Sequence, residues 1–168
     1  MLKKPYKVKG VVNVVRITIN IETGTQVEAE REQRNDSNVL RFGPASLPRG
    51  TTARATGIKL PMGVQVLHIE LQGTLKPEEV KPLAKYAIER YKAMLNEFGR
   101  PKVLVLSGKG PIWMFGVLIH TLLHITPAIA TFDPKLGGGV IIADHSGKFE
   151  EGEVIELPVE TISEIISG

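Results

Sequence analysis

The chain contains no cysteine. Disulfide scaffolds, thiolate zinc sites and cysteine nucleophiles are thereby excluded, and any metal must be held by His, Asp, Glu or backbone oxygen. Long apolar runs are missing too: none reaches the roughly 18 residues of a membrane-spanning helix. The basic start, MLKKPYKVKG, leads into an apolar stretch that carries Asn13 and Arg16, which does not read as a signal peptide. The expected location is cytoplasmic. Three catalytic signatures are also absent. The spacing GxxxxGK[ST] of a Walker loop and the GxSxG of a nucleophile elbow do not occur. Where HExxH needs its glutamate, Thr121 follows His120.

What remains is an ordinary globular composition. The 168 residues are 42% apolar and 23% charged, enough for a real core without staples. Charge is unevenly placed: residues 1–60 carry 11 Lys/Arg against 5 Asp/Glu, whereas the rest is net acidic. A basic front end reads either as a solvated arm or as the seat of an anionic partner.

Residues 11–21 alternate, with Val11, Asn13, Val15, Ile17, Ile19 and Ile21 on one face, and predict a half-buried strand. Residues 26–34 are charged and weakly patterned. From Asn35 to Gly63 the chain is rich in Asn, Ser, Gly, Pro and Thr, and reads as loop with short extended pieces. Residues 64–71 alternate again, with His68 mid-strand and expected to pack. Pro77, Glu78 and Glu79 suit a helix start, and helical spacing runs from Val80 to Phe98. KVLVL, 102–106, predicts a strand buried on both faces. IWMFGVLIHTLLHI, 112–125, is apolar nearly all round and predicts a buried helix, with Trp113 and Phe115 in the core. PAIATF and VIIA, joined by Asp133-Pro134-Lys135-Leu136-Gly137-Gly138-Gly139, predict a hairpin. The tail 153–166 predicts one more short strand and a helical turn. The order after residue 60 is that of an α/β domain with parallel strands and a hairpin at one edge.

Several groups are candidates for chemistry. The loop Ser107-Gly108-Lys109-Gly110-Pro111 joins a buried strand to a helix, where open α/β sheets take ligands and helix N–H groups meet anions; the alternative is a plain connecting turn. His120 and His124, at i and i+4, share a helix face and fit either a shared metal or core packing. Asp133 and His145 flank the hairpin and suit a divalent metal or proton transfer. His124 and Asp133 are close enough in sequence to meet, within a subunit or across a dimer.

The stretch LSGKGPIWMFGVLIHTLLHITPAIATFDPKLGGGVIIADHS, 106–146, together with HIELQGTLKPEEVKPL, 68–83, resembles the third family of CRISPR-associated ring nucleases over about residues 58–158. The resemblance implies a Rossmann-like α/β fold, a CARF-related mixed sheet with flanking helices, here with an N-terminal β/loop extension over 1–57 and a ring-nuclease-like domain over 58–168. It implies a nuclease that binds and linearises cyclic tetra-adenylate, switching off type III CRISPR signalling. It further implies dependence on manganese, activity on RNA ends, and homodimers that sandwich the ring two by two. By position, His124 and Asp133 match catalytic residues. Ser107, Gly108, Lys109, Gly110 and Lys135 match ligand-binding positions, and His120, His124, Asp133 and His145 match metal-binding ones. Lys109 and Lys135 stand where the family has arginine, which keeps charge but loses the bidentate fork. Gly137-Gly138-Gly139 is expected to lengthen the turn by one residue, and residues 85–100 to lengthen the first helix. A binding-only sensor and an RNA exonuclease are the rival readings.

Overall fold

The computed structural model describes residues 11–34 and 36–168, without the side chains of 11 and 12. The basic start, Asn35 and the facing assigned to Val11 lie outside the described residues. The described chain runs β1 (Val11–Asn20), β2 (Gln26–Arg34), β3 (Ser37–Phe42), β4 (Ala45–Ser46), β5 (Thr52–Lys59), β6 (Val64–Gln72), α1 (Val80–Phe98), β7 (Val103–Gly108), α2 (Ile112–Leu123), β8 (Ala128–Asp133), β9 (Gly138–Asp144), β10 (Val154–Glu156) and α3 (Val159–Ser167). All ten strands join one mixed sheet in the order β1-β2-β3-β5-β6-β7-β8-β9-β10, with β4 beside β5. β6, β7 and β8 are parallel neighbours, as their helical crossovers require, and β8–β9 is the expected hairpin with β10 added outside it.

The stretch read as loop, 35–63, instead supplies two full strands of an antiparallel meander that continues the same sheet. The reason is visible in β5. Its inward residues on one side are Ala53, Ala55 and Gly57, small because α1 lies close above them. A Cβ on Gly57 would come within 2.8 Å of the Met94 side chain. Small residues bury well but carry little hydrophobic signal. The division expected after residue 57 falls inside β5.

Two cores flank the sheet. α1 and α2 cover one face, with Leu83, Tyr91, Met94, Met114, Leu118 and Leu122 packed on Leu40, Leu67, Ile69, Leu104 and Leu106. α3 covers the other, where Ile162 and Ile165 lie on Val39, Ile58, Val66 and Val105. Those four form one row across β3, β5, β6 and β7, because Val39 pairs with Ile58, Ile58 with Val66, and Val66 with Val105. α3 therefore packs on the meander and on the parallel strands at once.

Polar ties reinforce the join. Glu79, fully buried before α1, accepts hydrogen bonds from the Thr51 hydroxyl at 2.7 Å and from the N–H groups of Arg49, Thr51 and Lys76. Burial alone would raise its pKa. The hydrogen bonds, the Thr51 hydroxyl foremost, outweigh that and hold it below the usual carboxylate value. Arg41 donates to Glu32 at 2.6 Å and to the Ile165 carbonyl at 2.9 Å, tying the last turn of α3 to the meander.

α2 departs from the expectation of a fully buried helix. Met114, Leu118 and Leu122, spaced by four, are buried. Ile112 is 91% and Trp113 40% exposed. A single helix layer can offer one face to the sheet, and here the outer apolar face stays uncovered.

Candidate functional site

The candidate loop lies where the strand and helix patterns imply. β7 ends in Ser107 and Gly108, and α2 begins at Ile112 after Pro111, which fixes the first turn. Gly108 has φ +151°, and a Cβ there would overlap the Ile69 carbonyl oxygen, so no other residue fits without moving β6. Lys109 and Gly110 are exposed. A cavity of about 300 Å³ opens beside the loop, lined by Ser107, Gly108, Ile112, Phe115, Thr131 and Phe132.

Asp133 ends β8, which runs parallel to β7, so it sits at the same end of the sheet as the loop. Its Oδ1 accepts from the N–H groups of Lys135 and Leu136 at 3.0 and 3.2 Å, the mark of an Asp-initiated turn. Lys135 projects from that turn and is exposed. Asp133 pairs with Gly138, so the turn spans Pro134–Gly137, and Gly138 and Gly139 are strand residues.

Three of the four histidines collect at the opposite end. His120 and His124, both exposed, place their rings 5.1 Å apart, edge to face, at the C-terminal end of α2. His145 is exposed and donates its backbone N–H to the Pro127 carbonyl, next to the start of β8. Asp144 beside it is held to a pKa of about 2, chiefly by the Ser146 hydroxyl and also by backbone N–H groups. Five steps of extended chain separate the two ends of β8, about 16 Å. His124 and Asp133 therefore do not meet within one chain. Among the described residues, no three His, Asp or Glu side chains converge on a common point that would hold a metal. One chain offers two adjacent imidazoles, a partial donor set.

One polar constellation has no trace in the motif patterns. His68 is buried on β6, and parallel register sets it directly beside Ser107. The His68 Nδ1 lies 2.9 Å from the Ser107 hydroxyl, and Nε2 lies 3.4 Å from a Glu70 carboxylate oxygen. Burial pushes the His68 pKa below its usual value and Lys109 adds to this, with Glu70 pulling the other way. The net effect disfavours the charged imidazole. Alternation along β6 announces that His68 and Glu70 share a face, but a partner 39 residues away emerges only from strand register.

The fold and this loop define an α/β protein whose polar and cationic groups gather at the carboxyl ends of parallel strands. Residues 68–156 match the profile of a family described as CRISPR-associated protein (Cas_csx3). An uncharacterized protein of Aquifex aeolicus (strain VF5) is 41% identical over 91 residues, which is 54% of this chain and 76% of that protein. The chain belongs to the Cas_csx3 family. The match begins in β6 and ends with β10, so β1–β5 and α3 are additions to the matched part.

Proposed function

We propose that this protein is a ring nuclease of the third CRISPR-associated family, which binds and linearises cyclic tetra-adenylate and so switches off type III signalling. The reading places the chemistry in residues 58–168 and makes the domain kin to ring-binding CARF sensors. The observation that carries it is the gathering of Ser107, Gly108, Lys109, Asp133 and Lys135 at one end of the parallel strands, in a chain of this family. A ring with four phosphates needs cationic and N–H-rich surface, which the two lysines and the start of α2 supply.

His124 lies at the far end of β8 from Asp133. In this reading the ring is held between copies, two homodimers enclosing it, so that one copy offers the loop, Asp133 and Lys135 while another offers His124. Histidine handles protons near neutral pH, and lysine offsets charge building on the phosphate oxygens. His120 and His124 would hold manganese, with Asp133 and His145 as further donors from other copies. The metal would supply Lewis-acid stabilisation of the phosphate. RNA ends are a second proposed substrate of the same centre.

The absence of a three-donor cluster within the described residues of one chain favours a second reading, a binding-only sensor. One experiment separates them. The protein is incubated with cyclic tetra-adenylate, with and without Mn²⁺, and the ring is followed by chromatography. Manganese-dependent conversion to linear adenylates, lost in His124→Ala, supports the nuclease. A tight complex without product supports the sensor. An untouched, unbound ring, or full activity in His124→Ala, overturns the assignment.

A further inference from the structure

The two edges of the sheet are finished differently. β10, at one edge, has three residues, carries Glu156 and is followed by Pro158, features that keep an edge from pairing. β1, at the other edge, has ten residues, no proline and a single charge, Arg16. Among the described residues nothing pairs with its outer side, so a row of backbone N–H and C=O groups faces outward there.

Side chains mark the same edge. Register places Val14 on the α3 face of the sheet, since Val14 pairs with Glu32 and Glu32 with buried Val39. It places Val15 on the α1 face, since Val15 pairs with Arg31 and Arg31 with buried Leu40. The two valines are adjacent, near the middle of the strand, and 51% and 47% exposed. The core under α1 stops short of them: Ile19 is buried and Ile17 half-buried. A partner lying on one face of the sheet would cover one valine and leave the other. A strand added to the edge covers both and satisfies the outward backbone groups as well.

We propose that the outer side of β1 pairs antiparallel with β1 of a second copy of this chain, about a twofold axis at Val15. The occupant is a second copy because its β1 is already an ordered strand with the same two exposed valines, whereas an unstructured peptide must first lose its conformational freedom. Two such edges close on each other and leave neither open. Charge fixes the axis. The middle of β1 falls at Val15 and Arg16, and an axis at Arg16 would set two guanidinium groups opposite each other, which opposes pairing. With the axis at Val15, that valine meets its own copy on one face. On the other face, Val14 of each copy lies against the aliphatic stem of Arg16 of the other. β1 lies outside residues 68–156 and five strands away from β7, so this contact is separate from the ligand loop and goes beyond the proposed function.

The tests use the full chain without any ring. Sedimentation over a concentration series is expected to show self-association of the wild type. Val15→Lys, which puts two charges on the axis, is expected to halve the mass of that assembly and to raise its dissociation constant at least about tenfold. Val15→Ile is expected to keep it, and melting temperature confirms that both variants fold. The lack of cysteine gives a positional readout. Opposed residues of an antiparallel pair have Cα atoms about 4.5–5.5 Å apart, within disulfide reach. Val15→Cys is therefore expected to cross-link to its own copy under mild oxidation. Asn13→Cys, opposite Ile17 of the other copy and about 14 Å from its own counterpart, is not. A wild type that stays monomeric, an assembly untouched by Val15→Lys, or equal cross-linking at positions 13 and 15 overturns this inference. Each of those results leaves the proposed function standing, since ring cleavage is read in its own experiment.

Discussion

Ile162→Ala is the sharpest test of how the chain is held together. Ile162 is 0% exposed and lies with Ile165 in the core formed by Val39, Ile58, Val66 and Val105. Truncation removes three carbons, at roughly 0.8 kcal/mol each for lost transfer free energy. The row beneath is of β-branched side chains fixed on paired strands and cannot collapse into the space, so a cavity term adds to this. The expected cost is about 3–4 kcal/mol, a fall in melting temperature of roughly 10 °C for a chain of this length. Urea unfolding would be followed by two signals. Fluorescence of the single tryptophan, Trp113, reports from α2 on the opposite face of the sheet. Far-UV circular dichroism reports the strands. Because α3 packs on the β3–β5 meander and on β6–β7 together, both signals should shift by the same amount and stay coincident. A loss below about 1 kcal/mol, or two separated transitions, would refute the account of α3 as the tie between the meander and the parallel strands.

Three other outcomes are expected. If the reactive centre forms between copies, mixing inactive His124→Ala with inactive Asp133→Ala restores measurable ring cleavage; a mixture as silent as its components argues for a centre within one chain. Gly108→Ala, which forces a Cβ against the Ile69 carbonyl at positive φ, should weaken ring binding at least about tenfold while the protein still folds; unchanged binding would remove the loop from the site. Asp144, whose folded pKa is about 2 against an ordinary 3.8, stabilises the fold above about pH 4 and loses that contribution as pH falls through 2. Asp144→Asn should therefore flatten the acid limb of the stability curve between those values, and an unchanged limb would refute the role given to its Ser146 and Phe149 hydrogen bonds.

Periodicity made much of the fold legible. β6, α1, β7, β8 and β9 each announce themselves, because β6 alternates, a strand covered on both faces reads as a short apolar run, and an amphipathic helix repeats at 3.6 residues. Glycine and proline marked the ends of α1 correctly, and the Asp-Pro turn after β8 opens with the hydrogen bonds its sequence implies. The ligand loop was placed by its neighbours, a buried strand before it and a helix after it. The meander was not legible. β5 buries Ala53, Ala55, Thr56 and Gly57, and residues chosen for small size look like loop when read one at a time; β3 buries Val39, Leu40 and Phe42 but is only six residues long.

The sequence alone determined which residue types are available for chemistry: four histidines, no thiols, and two lysines at the positions of the proposed phosphate contacts. Only the tertiary structure decided where they meet. Strand direction put His124 and Asp133 at opposite ends of β8, since six extended residues cannot fold back on themselves. Parallel register put His68 beside Ser107, a pairing fixed by which residues of two distant strands share a face and a level. Local pattern sets the face each side chain takes; the pairing of strands far apart in the chain sets its neighbour.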